Sequence, residues 1–213
     1  MERIVHIAGW HQIEDSEQFG RDLKIAAQRV PTEKVRIALL GDGAAWLWKH
    51  MKKAFPTGRE ILDIYHCSQY VHELADAQYG NDSCKALEWV EATMIRLYYG
   101  PISDVIGGLG RMKPRNGEAG EQIRRLISYL TNNKKRIRYR SDRLGGYPIA
   151  SGGIESANRF ICQARLKISG AWWLKVNGNG MLKLRCSIFN GTFNEVFSKY
   201  VTRKKANNLW TNS

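Results

Sequence analysis

The order of apolar and polar positions divides this chain into a short beginning with strand-like runs and a long remainder with helical spacing. Arg3 to Ala8 is an apolar run closed by Gly9, which predicts a buried strand. Between Ser16 and Gln28, Phe19, Leu23, Ala26 and Ala27 recur at helical spacing, with Ser16 placed as a cap and Pro31 closing the segment. Val35 to Leu40 predicts a second strand, ending in Gly41-Asp42-Gly43 before the chain turns helical from Ala44 to Trp48. After Phe55-Pro56, Glu60 to His66 predicts a third short strand that ends with Asp63 and His66. From Ser68 to about Asn133 the period is helical throughout, and Gly80-Asn81, Gly100-Pro101 and Lys113-Pro114 interrupt it. A Gly-rich loop around Gly152-Gly153 then opens a last helix, on which Ile154, Ala157, Ile161, Ala164 and Ile168 mark one apolar face.

Charge narrows the partners. Thirty-three Lys and Arg stand against twenty Asp and Glu in 213 residues, a formal net charge of +13, which favours a polyanion and nucleic acid first. Lys134 to Arg140 alone carries five positive charges in seven residues, either a solvated face or a phosphate contact. No apolar run is long enough to span a bilayer and no signal-peptide pattern opens the chain, so a cytoplasmic, nucleoid-associated protein without membrane contact is expected. The four cysteines, Cys67, Cys84, Cys162 and Cys186, are scattered, which indicates neither a zinc-ribbon nor a disulfide framework.

Three acidic positions carry candidate chemistry. Asp42 lies between two glycines where a strand gives way to a helix, a position suited either to ligand chemistry at a sheet's carboxyl edge or to capping that helix. Asp63-x-x-His66 has a spacing that can ligate a cation or pass protons, although a histidine there also serves to hold backbone. Glu155 stands one turn into the last helix, either a polar site facing a metal or polyanion, or a solvated carboxylate favoured by the helix dipole. Beyond it, Arg159, Arg165, Lys167, Trp172 and Trp173 have the mixture that tracks a phosphate backbone and stacks on unpaired bases, while adjacent tryptophans equally often anchor a core.

Two acids following strands and a third on a helix beyond an insertion look like an RNase H-like nuclease core. The runs Gly41 to Trp48, Ile61 to His66, Pro148 to Asn158, Arg165 to Trp173 and Leu182 to Thr192 resemble the DDE transposases of bacterial insertion sequences, in the ISKra-type branch related to Mutator-like elements. Ala150 departs from the glycine usual there. The resemblance implies an α/β fold: a partial RNase H-like core of about three parallel strands with a large all-helical insertion. Residues 1–67 would be the N-terminal part of that core, 68–140 the insertion, and 141–213 the core helix with Glu155 and a C-terminal tail.

In that family a first catalytic Asp precedes the region matched here, so by resemblance the chain is a truncated, C-terminal part that is inactive alone. Asp42 and Glu155 would be the second and third catalytic acids and metal ligands, and Asp63 with His66 the Asp-x-x-His signature. The implied cofactor is Mg2+ or Mn2+, in a two-ion site about 3.5 to 4 Å across that only the full-length enzyme would complete. Lys134, Lys135 and Arg136 join the residues after Glu155 as expected DNA contacts. The implied partners are element-end and target DNA and a homo-oligomer or intact transposase, and the alternative role is a non-catalytic binder that interferes with that enzyme. The implied sheet order, third, second, first, fourth and fifth, leaves a gap of two missing strands between Arg3 to Ala8 as the third and Val35 to Leu40 as the fourth. Arg3 to Ala8 is therefore expected to slide across and pair directly with Val35 to Leu40 in a three-stranded parallel sheet.

Overall fold

The computed structural model describes residues 14–80 and 82–210, with side chains for all but 204–210. The chain divides into two compact units, Ser16–Ser151 and the part that follows from Gly152.

In the first unit, α1 (Ser16–Ala27) leads to β1 (Ala38–Gly41), α2 (Ala45–Ala54) and β2 (Arg59–Leu62). Then come α3 (Ile64–Tyr79), α4 (Ser83–Tyr99), α5 (Ile102–Arg111) and α6 (Gly117–Asn132), a 3-10 turn at Lys134–Arg136, and α7 (Tyr139–Leu144). The two strands pair in parallel, Ala38 opposite Arg59 and Gly41 opposite Leu62. α2 supplies the crossover that parallel pairing requires.

The expected RNase H-like core of about three parallel strands is therefore corrected. The described residues hold two four-residue strands in a mostly helical structure. The Arg3 to Ala8 run lies outside the described residues. Val35 and Arg36 are not in the ladder, which opens with the Arg59 amide donating to the Ile37 carbonyl at 2.9 Å. The third run, Glu60 to His66, is strand only as far as Leu62, because Asp63 turns the chain into α3. Helix wins beyond that point because the apolar residues recur at its period: Ile64, Cys67, Val71, Leu74 and Ala75 form the buried stripe of α3.

Side-chain caps fix the starts of α4 and α6 as well as that of α3, where Asp63 accepts from the Tyr65 amide. The Asp82 carboxylate accepts from the Lys85 amide at the start of α4, and the Asn116 side chain accepts from the Ala119 amide at the start of α6. One apolar core runs through the unit, from Ile61 and Leu62 on β2 through α3 and α4 to Leu126 and Leu130 on α6.

The second unit comprises α8 (Gly152–Asn158), a π-helical turn at Arg159–Gln163, α9 (Ala164–Leu166), α10 (Lys175–Phe189) and α11 (Phe193–Trp210). Its buried residues are few, with Ala157, Ile161, Leu182 and Cys186 at the centre. The wide turn breaks the apolar stripe expected from the sequence: Ala157 and Ile161 are buried, whereas Ile154, Ala164 and Ile168 are exposed. A π turn closes i→i+5 bonds and leaves carbonyls to be satisfied from outside the helix. Arg185 of α10 donates to the Phe160 carbonyl, and its guanidinium lies 4.1 Å from the centre of the Phe160 ring.

Candidate functional site

The carboxyl ends of β1 and β2 bring two of the candidate acids onto neighbouring strands. The Asp63 amide donates to the Gly41 carbonyl at 2.8 Å, so Asp42 and Asp63 leave the sheet side by side in the chain's register. Their carboxylates do different work. Asp42 is exposed, and one of its oxygens accepts from the Ala44 amide at 2.9 Å, closing the turn into α2. Asp63 is buried, with 1% of its surface exposed. One of its oxygens accepts from the Tyr65 amide at 2.8 Å and caps α3, and the other accepts from the Ser151 amide at 3.0 Å. The Ile64 amide donates alongside to the Ile149 carbonyl at 3.0 Å. Asp63 thus pins the segment of Ile149 to Ser151 against the start of α3, a structural assignment for both of its oxygens. His66 follows in the first turn of α3, half-buried.

Aromatic and amide groups from α6 complete the strand ends. The Tyr129 hydroxyl donates to the Asp42 carbonyl at 2.8 Å, and its ring stacks on Tyr70 with centroids 4.1 Å apart. Burial holds the Tyr129 phenol well above its ordinary range, with neighbouring Cys67 and Tyr70 adding to the effect, so it remains a donor. Arg125 lies 4.7 Å over the other ring of the pair, Tyr70, and its guanidinium bonds Glu73 at 2.8 Å. Gly43 is required here. Its φ is +103°, and a Cβ would come within 2.8 Å of the Tyr129 ring and 3.1 Å of the Asn133 amide nitrogen. Beneath the turn, burial pushes the Cys67 thiol up from 9.0 to about 12, opposed weakly by the adjacent Tyr139 hydroxyl.

Metal binding would have to draw on little. Among the described residues no group of three or more His, Cys, Asp and Glu side chains gathers in a way that could hold an ion. Asp42 has one carboxylate oxygen without a backbone bond, and Mg2+ can bind through one or two carboxylates when substrate phosphates complete its shell. Glu155 is exposed in the first turn of α8, in the second unit.

The cations divide into tied and untied. Arg136, an expected DNA contact, turns inward: it bonds Glu60 at 2.7 Å and stacks 4.4 Å over Trp48. Arg59 forms an ion pair with the buried Asp142, and Arg36 and Arg59 flank the Tyr147 ring at 5.2 and 5.3 Å. In contrast, Lys134, Lys135, Arg159, Arg165 and Lys167 are all exposed. None of them takes part in an ion pair among the described residues. Trp172 is 96% exposed and Trp173 37%, so Trp172 is not a core anchor within its unit.

Arg138 and Arg140 belong to the run expected to be a solvated face or a phosphate contact, although they were not singled out, and the sequence carries a further signal for them. In Arg136 to Arg140 the apolar Ile137 and Tyr139 are buried while the alternating Arg138 and Arg140 are exposed. No protein-family model, curated protein or solved structure matches the chain.

Proposed function

We propose that this protein binds nucleic acid through its untied cations and does not itself cut or join DNA. The observation that carries the reading is that Lys134, Lys135, Arg159, Arg165 and Lys167 stand exposed without ion-pair partners among the described residues, in a chain with a net charge of +13. Cations already neutralised by carboxylates release few counterions from DNA, whereas untied ones supply the salt-dependent part of affinity. The sequence resemblance to DDE transposases makes DNA the first partner to try. The non-catalytic half of the reading rests on Asp63, whose two oxygens are engaged by the Tyr65 and Ser151 amides. A two-metal phosphodiester mechanism needs carboxylates that face the ions and the scissile phosphate.

The test is fluorescence anisotropy of a labelled 20-base-pair duplex titrated with the full chain at a series of salt concentrations. Log affinity is expected to fall linearly with log salt, at about 0.9 per phosphate neutralised, with little preference among sequences. Absence of binding at low salt, or an affinity indifferent to salt, overturns the reading. Incubation of the same duplex with Mg2+ or Mn2+ is expected to leave it intact. Nicking that disappears in Asp42→Asn would sink the non-catalytic half.

A second reading, that the chain joins oligomers of itself or of an intact transposase, is favoured by apolar side chains the second unit leaves exposed: Trp172 at 96%, Val176 at 73% and Leu174 at 71%. Light scattering across a hundredfold range of protein concentration distinguishes an oligomer from a monomer.

A further inference from the structure

Within the first unit, a groove of about 570 Å³ opens where the end of α4, the start of α5, the 3-10 turn and α7 meet. We infer that this groove is a subsite for one or two unstacked nucleotides of a single-stranded nucleic acid, with Tyr99 as the stacking face and Lys134, Arg138 and Arg140 as the phosphate contacts. The inference rests on the nucleic-acid reading above and gives it a location and a strand preference.

The lining has one sign of charge. Lys134, Arg138 and Arg140 are the charged residues around the groove, and no carboxylate lines it. None of the three is in an ion pair among the described residues. Their neighbours Arg59, Arg136 and Arg143 are held by Asp142, by Glu60 and Trp48, and over Tyr98 respectively. Those ties fix the segment that presents Arg138 and Arg140, while buried Ile137 and Tyr139 alternate with them and keep both arginines outward. The first residues of α5, Ile102 and Ser103, line the groove too.

Tyr99 makes the groove more than a patch of charge. It is 59% exposed at the last position of α4, with its ring centroid 5.4 Å from that of Tyr98. A ring beside cations suits a nucleic acid whose bases have left their stack, because every base offers a flat face and every linkage a phosphate. A duplex keeps its bases stacked inside and offers the ring nothing. The open groove has room for one or two nucleotides.

The experiment measures anisotropy of fluorescein-labelled dT12 and of a 12-base-pair duplex with the full chain, alongside competition by free dTMP. Tyr99→Ala is expected to weaken dT12 binding about tenfold, Tyr99→Phe to keep it near wild type, and duplex binding to change little in either. Arg138→Ala with Arg140→Ala is expected to lower the dT12 salt slope by about 1.4, at about 0.7 per single-strand phosphate. These positions are exposed, and melting curves check that the variants fold; Arg140→Glu is a second variant if the double one does not. If wild type binds dT12 but Tyr99→Ala and the arginine variants bind it equally well with the same slope, this groove is not the subsite, although the wider reading stands. If wild type binds neither oligonucleotide, both fall. If free dTMP displaces dT12 at similar concentration, the groove is a mononucleotide site and the strand assignment is wrong.

Discussion

The carboxyl ends of β1 and β2 and the groove beside α7 are both polar regions of one unit, and they use their charges in opposite ways. At the strand ends Asp63 has both oxygens on backbone amides, Asp42 has one on Ala44, and Tyr129 donates to the Asp42 carbonyl. In the groove Lys134, Arg138 and Arg140 have no ion-pair partner among the described residues. The contrast teaches that an acidic motif and a basic run of similar prominence in a sequence can have different destinies. A buried carboxylate must be satisfied by the fold, whereas a surface cation can keep its charge for a partner.

The largest effect that would sharpen this contrast is chemical. With its thiol pushed to about 12 from 9.0, Cys67 should carry about a thousandfold less thiolate at pH 8 than an ordinary cysteine. Iodoacetamide followed by peptide mass spectrometry should label exposed Cys84 readily and leave Cys67 untouched in the folded protein. The same shift gives a pH dependence. The folded state favours the protonated thiol, so this contribution to stability is present in full below pH 9 and is lost progressively as pH climbs toward about 12. Melting temperature should fall across that window, and Cys67→Ala should flatten the fall.

Next comes Asp63→Ala, which strips the cap from α3 and leaves the Ser151 amide without its acceptor. A loss of about 2 to 4 kcal/mol in denaturant unfolding is expected. A purely functional acid would instead leave stability unchanged, and that result breaks the comparison. Gly43→Ala should cost about 1 to 3 kcal/mol, since its φ of +103° and the 2.8 Å approach of the Tyr129 ring both oppose a side chain. Arg138→Ala and Arg140→Ala should each move stability by less than about 0.5 kcal/mol. A larger loss would mean that the groove's cations hold the fold together as the strand-end groups do.

What the sequence made legible follows from how local each signal is. The helical period from Ser68 to Asn133 is written in neighbouring residues and emerges as α3 to α6, with the Gly100-Pro101 break separating α4 from α5. Asp63 was legible as a special position, but its partner is the Ser151 amide, 88 residues away, and nothing local tells a capping carboxylate from a reactive one. Likewise Arg136 and Arg138 look equivalent in the basic run. Glu60, 76 residues before Arg136, decides which of them is tied. The Val35 to Leu40 run promised six residues of strand and delivered a ladder from Ala38, because β2 begins only at Arg59 and offers partners to four residues. The helix after Gly152 failed for another reason: the apolar stripe assumes an unbroken α period, and the turn at Arg159–Gln163 changes it.

That turn has a consequence for insertions and deletions. A π turn carries one residue more than the α-helical segment it replaces, and each residue advances a helix by about 100°. Removing a single residue between Arg159 and Gln163 would close the turn into ordinary helix. Because the wide turn already absorbs the extra residue, Arg165 and Lys167 would keep their facing, while the Arg185 guanidinium would lose the carbonyl it now binds. The turn is thus a place where the chain can change its length by one residue without changing which way those two cations face, and a scan made only of substitutions would never reveal it.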